Sequence, residues 1–256
     1  MFILMASTQQ ILGVKFFNGD VDEAIAFMYE HGGFLVAPSG TCFSRLRHDP
    51  AYREAVLNAD VAIPDSGAMV LLWRILRGKK ITRISGWKYL QRLVVRLFPE
   101  KQSRVFWVLP TERAREKTEG WLRSNDFAFT DADLYVAPRY GGLVEDRQLL
   151  AQIEHHKPKH IVVGIGGGTQ EKLGHFLRER LSYRPAIHCI GGALGFLTGD
   201  QKPIPDWADR FYLGWFLRML AQPRNFIPRL WNAHELPWLI WKYGEKLPLL
   251  KEKVES

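Results

Sequence analysis

One segment of the chain, residues 161–173 with the sequence IVVGIGGGTQEKL, restricts the fold more than any other. Its opening apolar residues have the length and β-branched composition of a buried strand, and a cluster of glycines follows them directly. The polar pair Gln170-Glu171 then opens an amphipathic stretch. A strand, a tight glycine turn and a helix in succession are typical of α/β proteins, and the N–H groups at such a helix start favour an anion.

Alternating strand and helix patterns run along most of the chain. Strands are predicted at residues 11–17, 33–37, 61–63, 104–109, 133–137, 160–163 and 186–190, and helices at residues 20–29, 50–58, 66–76, 87–97, 111–124, 143–156 and 169–181. This alternation builds βαβ units. The predicted fold is therefore a Rossmann-like α/β domain, with a mostly parallel sheet, helices on both faces and a C-terminal helical appendage.

The appendage is predicted from a change in composition after about Pro205, which divides the chain into residues 1–204 and 205–256. Five of the nine tryptophans lie in the last fifty residues, interleaved with arginine and lysine. Two interpretations remain open. The segment is either an element for a membrane surface, where tryptophan and basic residues are favoured, or a helical cap that buries its aromatic side chains on the sheet. The membrane-surface interpretation predicts that residues 1–204 fold without the appendage.

Bulk properties narrow the choice of partners and compartment. The 256 residues suit one sizeable domain with an appendage, and the net charge of +8 suits nucleotide diphosphates, anionic lipid headgroups or nucleic acid. Cys42 and Cys189 lie far apart without metal-ligand spacing, which fits a reducing cytoplasm. The opening MFILMAS is too short for a signal peptide, and no window offers about 18 uncharged apolar residues for a membrane span.

Three polar or glycine-rich segments fall at the predicted carboxyl ends of strands. They are Asp65, residues 166–170 and the pair Gly191-Gly192. Ligands of parallel α/β sheets bind at this edge, so the three segments are expected to line one crevice. The glycine spacing does not match the dinucleotide fingerprint or the phosphate loop of nucleotide triphosphatases, which disfavours a nucleotide-dependent oxidoreductase.

Together with residues 64–67 (PDSG) and residues 82–86 (TRISG), these segments resemble the WecG/TagA/CpsF family of bacterial glycosyltransferases. The resemblance runs from about Ile11 to Arg229 and depends on the order and spacing of short motifs. From the residues alone, Asp65 is either a helix cap or a general base, and Arg83 is either a solvated loop residue or a phosphate ligand. The resemblance implies the second role for each.

The resemblance also implies the remaining site. The expected substrate-binding residues are Ser39, Arg83, Gly166, Gly167, Gln170, Glu171, Gly191 and Gly192. The residues expected at the membrane or acceptor are Trp215, Arg218, Arg224 and Arg229. No cofactor and no metal are expected, and the Asp-Ala-Asp sequence at residues 131–133 is interpreted as the start of a strand.

The implied function is that of an inverting glycosyltransferase in cell-surface polysaccharide synthesis. It would move an N-acetylhexosamine-type sugar from a UDP-sugar to a polyprenyl-diphosphate-linked acceptor. The protein would be cytoplasmic and peripheral to the inner face of the membrane, and no nucleic-acid partner is expected. The chain departs from the family pattern, since Ala37 and Ser39 stand where the family has Thr-x-Asn, and Ser66 separates Asp65 from its glycine. The alternative is a catalytically degenerate relative that binds a nucleotide sugar or a membrane partner.

Overall fold

The computed structural model of the chain describes residues 7–98, 105–200 and 234–251. Its strands are β1 (Thr8–Ile11), β2 (Val14–Phe17), β3 (Gly33–Val36), β4 (Val61–Ala62), β5 (Val105–Leu109), β6 (Leu134–Val136), β7 (His160–Val163) and β8 (Ala186–Cys189). Its helices are α1 (Val21–His31), α2 (Arg45–His48), α3 (Pro50–Leu57), α4 (Gly67–Arg77), α5 (Gly86–Leu97), α6 (Glu112–Ser124), α7 (Arg147–His156), α8 (Gln170–Arg180), α9 (Ala193–Leu197) and α10 (Glu235–Tyr243).

The eight described strands form one sheet in the order β1-β2-β4-β3-β8-β7-β5-β6. Neighbours from β2 onward pair in parallel, and the β1–β2 hairpin pairs antiparallel. The chain passes from β3 to β4 toward one edge of the sheet and from β5 to β6 toward the other. The predicted α/β class with a mostly parallel sheet is therefore confirmed.

Helices cover both faces of the sheet and enclose two apolar cores. One core includes Trp73 of α4 and the other includes Met28 of α1. Within β3, Phe34 and Val36 contribute to the first core and Leu35 to the second, as strand alternation requires. Because both faces are covered, the parallel strands are mostly apolar, which is the pattern that makes them recognisable in the sequence.

The prediction of one strand over residues 11–17 is wrong. These residues belong to a hairpin in which Ile11 faces Val14 across a two-residue turn, with φ of +51° at Leu12 and +83° at Gly13. Positive φ at both central positions is typical of the tight turns that join antiparallel strands. Leu12 is apolar because it is buried in the core, so the turn has no polar signal in the sequence.

Two helix starts show how local capping sets the boundaries. The predicted cap at Asp20 is confirmed, because Asp20 accepts from the Glu23 N–H and the Glu23 carboxylate accepts from the Asp20 N–H, both at 2.8 Å. The helix predicted from residue 143 instead begins at Arg147. Asp146 caps this helix by accepting from the Leu149 N–H at 2.9 Å. Since the cap is the last residue before the helix, residues 143–146 are not helical.

The last described helix, α10, is packed against the α/β domain. Leu236, Leu239 and Ile240 are buried in the same core as Trp73. Just beyond the helix, the carbonyl of Gly244 accepts from the Leu12 N–H of the hairpin at 2.8 Å. Residues 234–251 therefore share a core with the sheet.

The predicted boundary between residues 204 and 205 lies outside the described residues, and the separate appendage stays a prediction. The residues expected at the membrane or acceptor also lie outside them: Trp215, Arg218, Arg224 and Arg229. None of the described helices is long and apolar enough to cross a bilayer.

Three buried polar side chains form a line through the interior. The ring of His188 in β8 lies between the hydroxyl of Tyr89, 2.9 Å from its Nδ1, and Nδ1 of His160, 3.2 Å from its Nε2. All three residues are fully buried. Burial, together with the neighbouring His160, lowers the pKa of His188 well below its ordinary value, so this ring is neutral in the folded protein.

We expect His188 to make the folded protein less stable in acid. As the pH falls below its ordinary pKa of 6.5, the ring takes up a proton in the unfolded chain but not in the folded one. The unfolded state then binds more protons, and the free energy of unfolding falls by about 2 kcal/mol between neutral pH and about pH 5. Urea denaturation at both pH values should show this loss in wild type and in the surface control His155→Gln, but not in His188→Gln. Equal pH dependence of His188→Gln and wild type would contradict it.

Candidate active site

Four neighbouring strands, β4, β3, β8 and β7, end at one edge of the sheet. Asp65 follows β4, Ser39 follows β3, Gly191 follows β8 and the glycine loop, residues 164–169, follows β7. Parallel strands direct their carboxyl ends to the same side. Asp65, the glycine loop and Gly191, which the sequence groups into one crevice, therefore lie at the same edge of the sheet, and Ser39 lies at that edge too.

Asp65 is partly exposed, and the start of α5 holds its carboxylate. Its Oδ1 accepts from the N–H of Gly86 at 2.9 Å, while its Oδ2 has no hydrogen-bond partner within the described ranges. The cap of the helix that follows is Ser66, whose hydroxyl accepts from the Met69 N–H at 3.2 Å. The alternative in which Asp65 caps α4 is therefore wrong, and one carboxylate oxygen remains available for chemistry.

Arg83 is tied to the same turn. Its Nε donates to the backbone carbonyl of Asp65 at 2.8 Å, which fixes the guanidinium beside the turn that follows β4. The loop continues to Gly86, where an added Cβ would lie 3.5 Å from the Ile190 carbonyl and 3.8 Å from Cβ of Ala37. Gly86 is thus the point at which the segments after β3, β4 and β8 meet.

The glycine loop turns sharply before α8. Gly166 has a φ of +103° and Gly168 a φ of +93°, conformations that residues with a side chain rarely adopt. Gly167 between them is exposed. An added Cβ at Gly167 would lie 3.0 Å from Sγ of Cys42 and 3.9 Å from Oγ of Ser39. The loop therefore faces the turn that follows β3.

That turn, residues 39–42, presents small polar groups. The Ser39 hydroxyl lies 3.0 Å from the Thr41 hydroxyl and 3.2 Å from the Cys42 thiol. Burial raises the pKa of the Cys42 thiol, and the nearby carboxyl of Glu171 acts in the same direction. Cys42 is therefore a neutral packing residue, while Ser39 and Thr41 are partly exposed hydroxyls at the crevice.

Gln170 and Glu171 lie beneath the glycine loop. Glu171 has no exposed surface, and its Oε2 accepts from the Gly168 N–H at 2.6 Å. Burial raises the pKa of Glu171 despite this hydrogen bond. Gln170 is 1% exposed, and its Nε2 donates to the Cys189 carbonyl at 3.3 Å. Glu171 thus joins the glycine loop to α8, and Gln170 joins the start of α8 to β8.

One atom of this group has no partner. Oε1 of Gln170 is buried and accepts no hydrogen bond within the described part of the chain. An added Cβ at Gly191 would lie 3.5 Å from it. Gly191 has a φ of +59°, and Gly192 after it is exposed at the start of α9. A buried acceptor without a donor is costly, so a ligand hydroxyl or N–H at this edge would be stabilising.

Sequence reasoning missed Arg45. It lies on α2, a four-residue helix too short to give a periodic pattern. Its guanidinium lies over the glycine loop, since an added Cβ at Gly168 would be 2.6 Å from Cζ of Arg45. The side chain is 45% exposed, and its ion pair with Asp49 is loose at 3.9 Å. A cation beside a glycine loop at a helix start is a suitable partner for phosphate.

Metal-ligand groups do not accompany these residues. Within the described ranges no cluster of three or more histidine, cysteine, aspartate or glutamate side chains could hold an ion. The Asp-Ala-Asp sequence at residues 131–133 forms a 3₁₀ turn, in which Asp133 is buried and accepts from the N–H and the hydroxyl of Thr130. Asp133 is thus a capping residue.

Comparison with known proteins shows that the chain is similar to bacterial glycosyltransferases. Residues 9–252 match the family model described as "Glycosyl transferase WecG/TagA/CpsF family". The chain is 23% identical over 225 residues to the N-acetylglucosaminyldiphosphoundecaprenol N-acetyl-beta-D-mannosaminyltransferase of Bacillus subtilis (strain 168), covering 84% of each chain. It is 24% identical over 196 residues to the protein of the same name from Bacillus spizizenii, covering 76% of this chain and 74% of the relative.

Proposed function

This chain belongs to the WecG/TagA/CpsF family and is a glycosyltransferase of cell-surface polysaccharide biosynthesis, and from that premise we propose its reaction. An N-acetylhexosamine-type sugar passes with inversion from a UDP-sugar to a polyprenyl-diphosphate-linked saccharide. The observation that carries the proposal is the edge of the sheet at which Asp65 offers a carboxylate oxygen beside Arg83, with the glycine loop at the end of β7 on the same edge. The two relatives are named for an acceptor of this class, N-acetylglucosaminyldiphosphoundecaprenol.

Asp65 acts as the general base. The Gly86 N–H holds its Oδ1, which leaves Oδ2 to accept the proton of the acceptor hydroxyl. The hydroxyl oxygen then forms a bond to the anomeric carbon as the bond from that carbon to the diphosphate oxygen breaks. UDP leaves with the electron pair, and the proton remains on Asp65. Attack from the face opposite the leaving group inverts the anomeric centre.

The leaving diphosphate develops negative charge, and two arginines supply the opposite charge. Arg83 lies on the Asp65 turn, and Arg45 lies over Gly168 of the glycine loop. The exposed Gly167 and the partly exposed Gly166, next to the positive end of α8, add backbone N–H donors. In this proposal the partly exposed Ser39 hydroxyl contacts the sugar or nucleoside of the donor, and the buried carboxamide of Gln170 supports the crevice from below through its hydrogen bond to the Cys189 carbonyl.

The degenerate relative remains the second candidate, because Ala37 and Ser39 stand where the family has Thr-x-Asn. The hydroxyls of Ser39 and Thr41, 3.0 Å apart, favour the active enzyme, since together they offer the polar groups that Ala37 lacks. The deciding experiment is a donor screen with the purified protein and a polyprenyl-diphosphate N-acetylglucosamine acceptor. UDP release that depends on the acceptor supports the enzyme, and donor binding without release supports the accessory protein.

Arg83→Ala and Arg45→Ala should each weaken UDP binding by roughly tenfold or more, because each removes a charge-assisted contact to phosphate. Calorimetry with UDP measures the change. The matched control is Arg123→Ala on α6, whose partner is Glu119 and whose side chain is 70% exposed. Adding EDTA should leave UDP binding and turnover unchanged, because the arginines supply the positive charge. Unchanged affinity in both arginine variants, or loss of turnover with EDTA, would contradict this account of the diphosphate site.

The proposed place of action is the inner face of the cytoplasmic membrane. A UDP-sugar is water-soluble and a polyprenyl diphosphate lies in the bilayer, so an enzyme that joins them works at the surface between the two. The net charge of +8 favours an anionic membrane surface over a neutral one.

A further inference from the structure

The outward faces of α4 and α10 carry large apolar side chains in water. On α4, Ile75 is 67% exposed and Leu71 is 40% exposed, one helical turn apart on the same face. On α10, Trp241 is 65% exposed and Trp238 is 39% exposed. Isolated exposed apolar residues are common, whereas several of them on two adjacent helices are typical of a contact surface.

The two helices lie side by side in the layer over one face of the sheet. Nη1 of Arg77, at the end of α4, lies 3.5 Å from the carbonyl of Trp241 and can donate to it. Both helices bury their opposite sides in the same core, α4 through Trp73 and α10 through Leu239 and Ile240. Because the two helices are adjacent and both turn their inner faces to this core, their outer faces lie side by side, and together they are called here the α4–α10 surface.

Basic residues surround the apolar side chains. The exposed basic residues of the α4–α10 surface are Arg74, Arg77, Lys79, Lys80, Lys242 and Lys246. Two acidic residues accompany them and both are paired, Glu245 with Lys79 at 2.5 Å and the partly exposed Glu235 with Lys251 at 3.5 Å. Trp238 lies between two cations, with Cζ of Arg47 5.0 Å and Nζ of Lys242 4.8 Å from its ring centroid. The surface is therefore apolar at its centre and strongly positive at its border.

We infer that the α4–α10 surface docks on an anionic phospholipid bilayer, so that a helix of the catalytic domain itself contributes to membrane binding. Apolar side chains at the centre enter the interface between headgroups and acyl chains, and the basic border meets anionic headgroups. A second copy of the chain is a poorer occupant, because a symmetric contact would bring the same cations together. Charge complementarity therefore favours an anionic lipid surface over a second copy of the chain.

Helix α4 connects the α4–α10 surface to the candidate active site. The helix begins at Gly67, directly after Ser66 and two residues after Asp65. Docking through α4 would hold the Asp65 turn close to the headgroups, where the diphosphate of a polyprenyl carrier lies. The inference rests on the proposed function only for the identity of that acceptor, since the surface itself is defined by apolar exposure and charge.

Co-sedimentation of the full chain with vesicles of phosphatidylglycerol and phosphatidylcholine tests the inference. Wild type should bind these vesicles, less at high salt, and less when phosphatidylglycerol is omitted. The double variant Leu71→Ser with Ile75→Ser should lower the partition coefficient by about tenfold or more, because both side chains lose their apolar contact with lipid. The matched control is Val95→Ser, since Val95 is 66% exposed on α5, on the other face of the sheet.

The outcomes separate lipid docking from its alternatives. Failure of wild type to bind vesicles, or equal binding of the double variant and wild type, would overturn the inference. A double variant that changes a dimer into a monomer in sedimentation, with unchanged vesicle binding, would assign the surface to a second copy. Calorimetry with UDP and turnover with a short-chain, water-soluble acceptor report on the proposed function separately, and both should be the same in the double variant and in wild type.

Discussion

Asp65→Asn should lower turnover by about 100-fold or more and leave the fold intact. The loss follows from removal of the general base, since a carboxamide cannot accept the proton of the acceptor hydroxyl. The fold should persist because the carboxamide oxygen can still accept from the Gly86 N–H that holds Oδ1 in wild type. UDP release under saturating donor and acceptor measures turnover, and circular dichroism with thermal melting confirms folding.

The control for this variant is Asp131→Asn, the same chemical change at a carboxylate that is 84% exposed near the far edge of the sheet. Its turnover should equal that of wild type. UDP binding should also be similar in Asp65→Asn and wild type, because the proposed phosphate ligands are Arg83 and Arg45. Turnover close to wild type in Asp65→Asn would remove this carboxylate from the mechanism.

Leu239→Ala in α10 should lower the free energy of unfolding by about 2–5 kcal/mol, the range for deleting a fully buried leucine side chain. Leu239 has no exposed surface and packs in the same core as Trp73 of α4. Urea denaturation measures the change. The control is Leu249→Ala, because Leu249 is 73% exposed and its loss should change stability by less than about 0.5 kcal/mol.

The same packing bears on truncation. A chain ended at residue 204 would lack α10, expose the apolar surface that Leu236, Leu239 and Ile240 cover, and leave the N–H groups of Leu12 and Gly13 without their partners at Gly244 and Glu245. Such a chain is expected to aggregate or to unfold at moderate temperature. A soluble, cooperatively melting truncation, together with a harmless Leu239→Ala, would show that the sheet is stable without its last helix.

Several elements of this protein could be predicted from the sequence because their signals are local. Buried parallel strands such as β5 are short continuous apolar runs, and Asp20 with Glu23 is a capping pair that any isolated helix start could carry. The order of strands and helices then implies a parallel sheet, and parallel strands place Asp65, Gly191 and the glycine loop at one edge. The family resemblance added roles for Asp65 and Arg83 that spacing alone left open.

Other features depend on contacts between residues far apart in the chain, so they become visible only in the folded structure. The turn at Leu12 and Gly13 has no polar signal, because the core buries Leu12 and Leu247 packs against Gly13. The cap of α4 belongs to Ser66 because the N–H of Gly86, twenty-one residues further on, holds the Asp65 carboxylate. Arg45 reaches the glycine loop from a helix too short to have a pattern. The class of fold and the edge of the sheet that carries the candidate site follow from periodicity and strand order, which are properties of neighbouring residues and can be read from the sequence. Which side chains meet at that edge, and which apolar faces stay in water, followed only from the packing of distant segments.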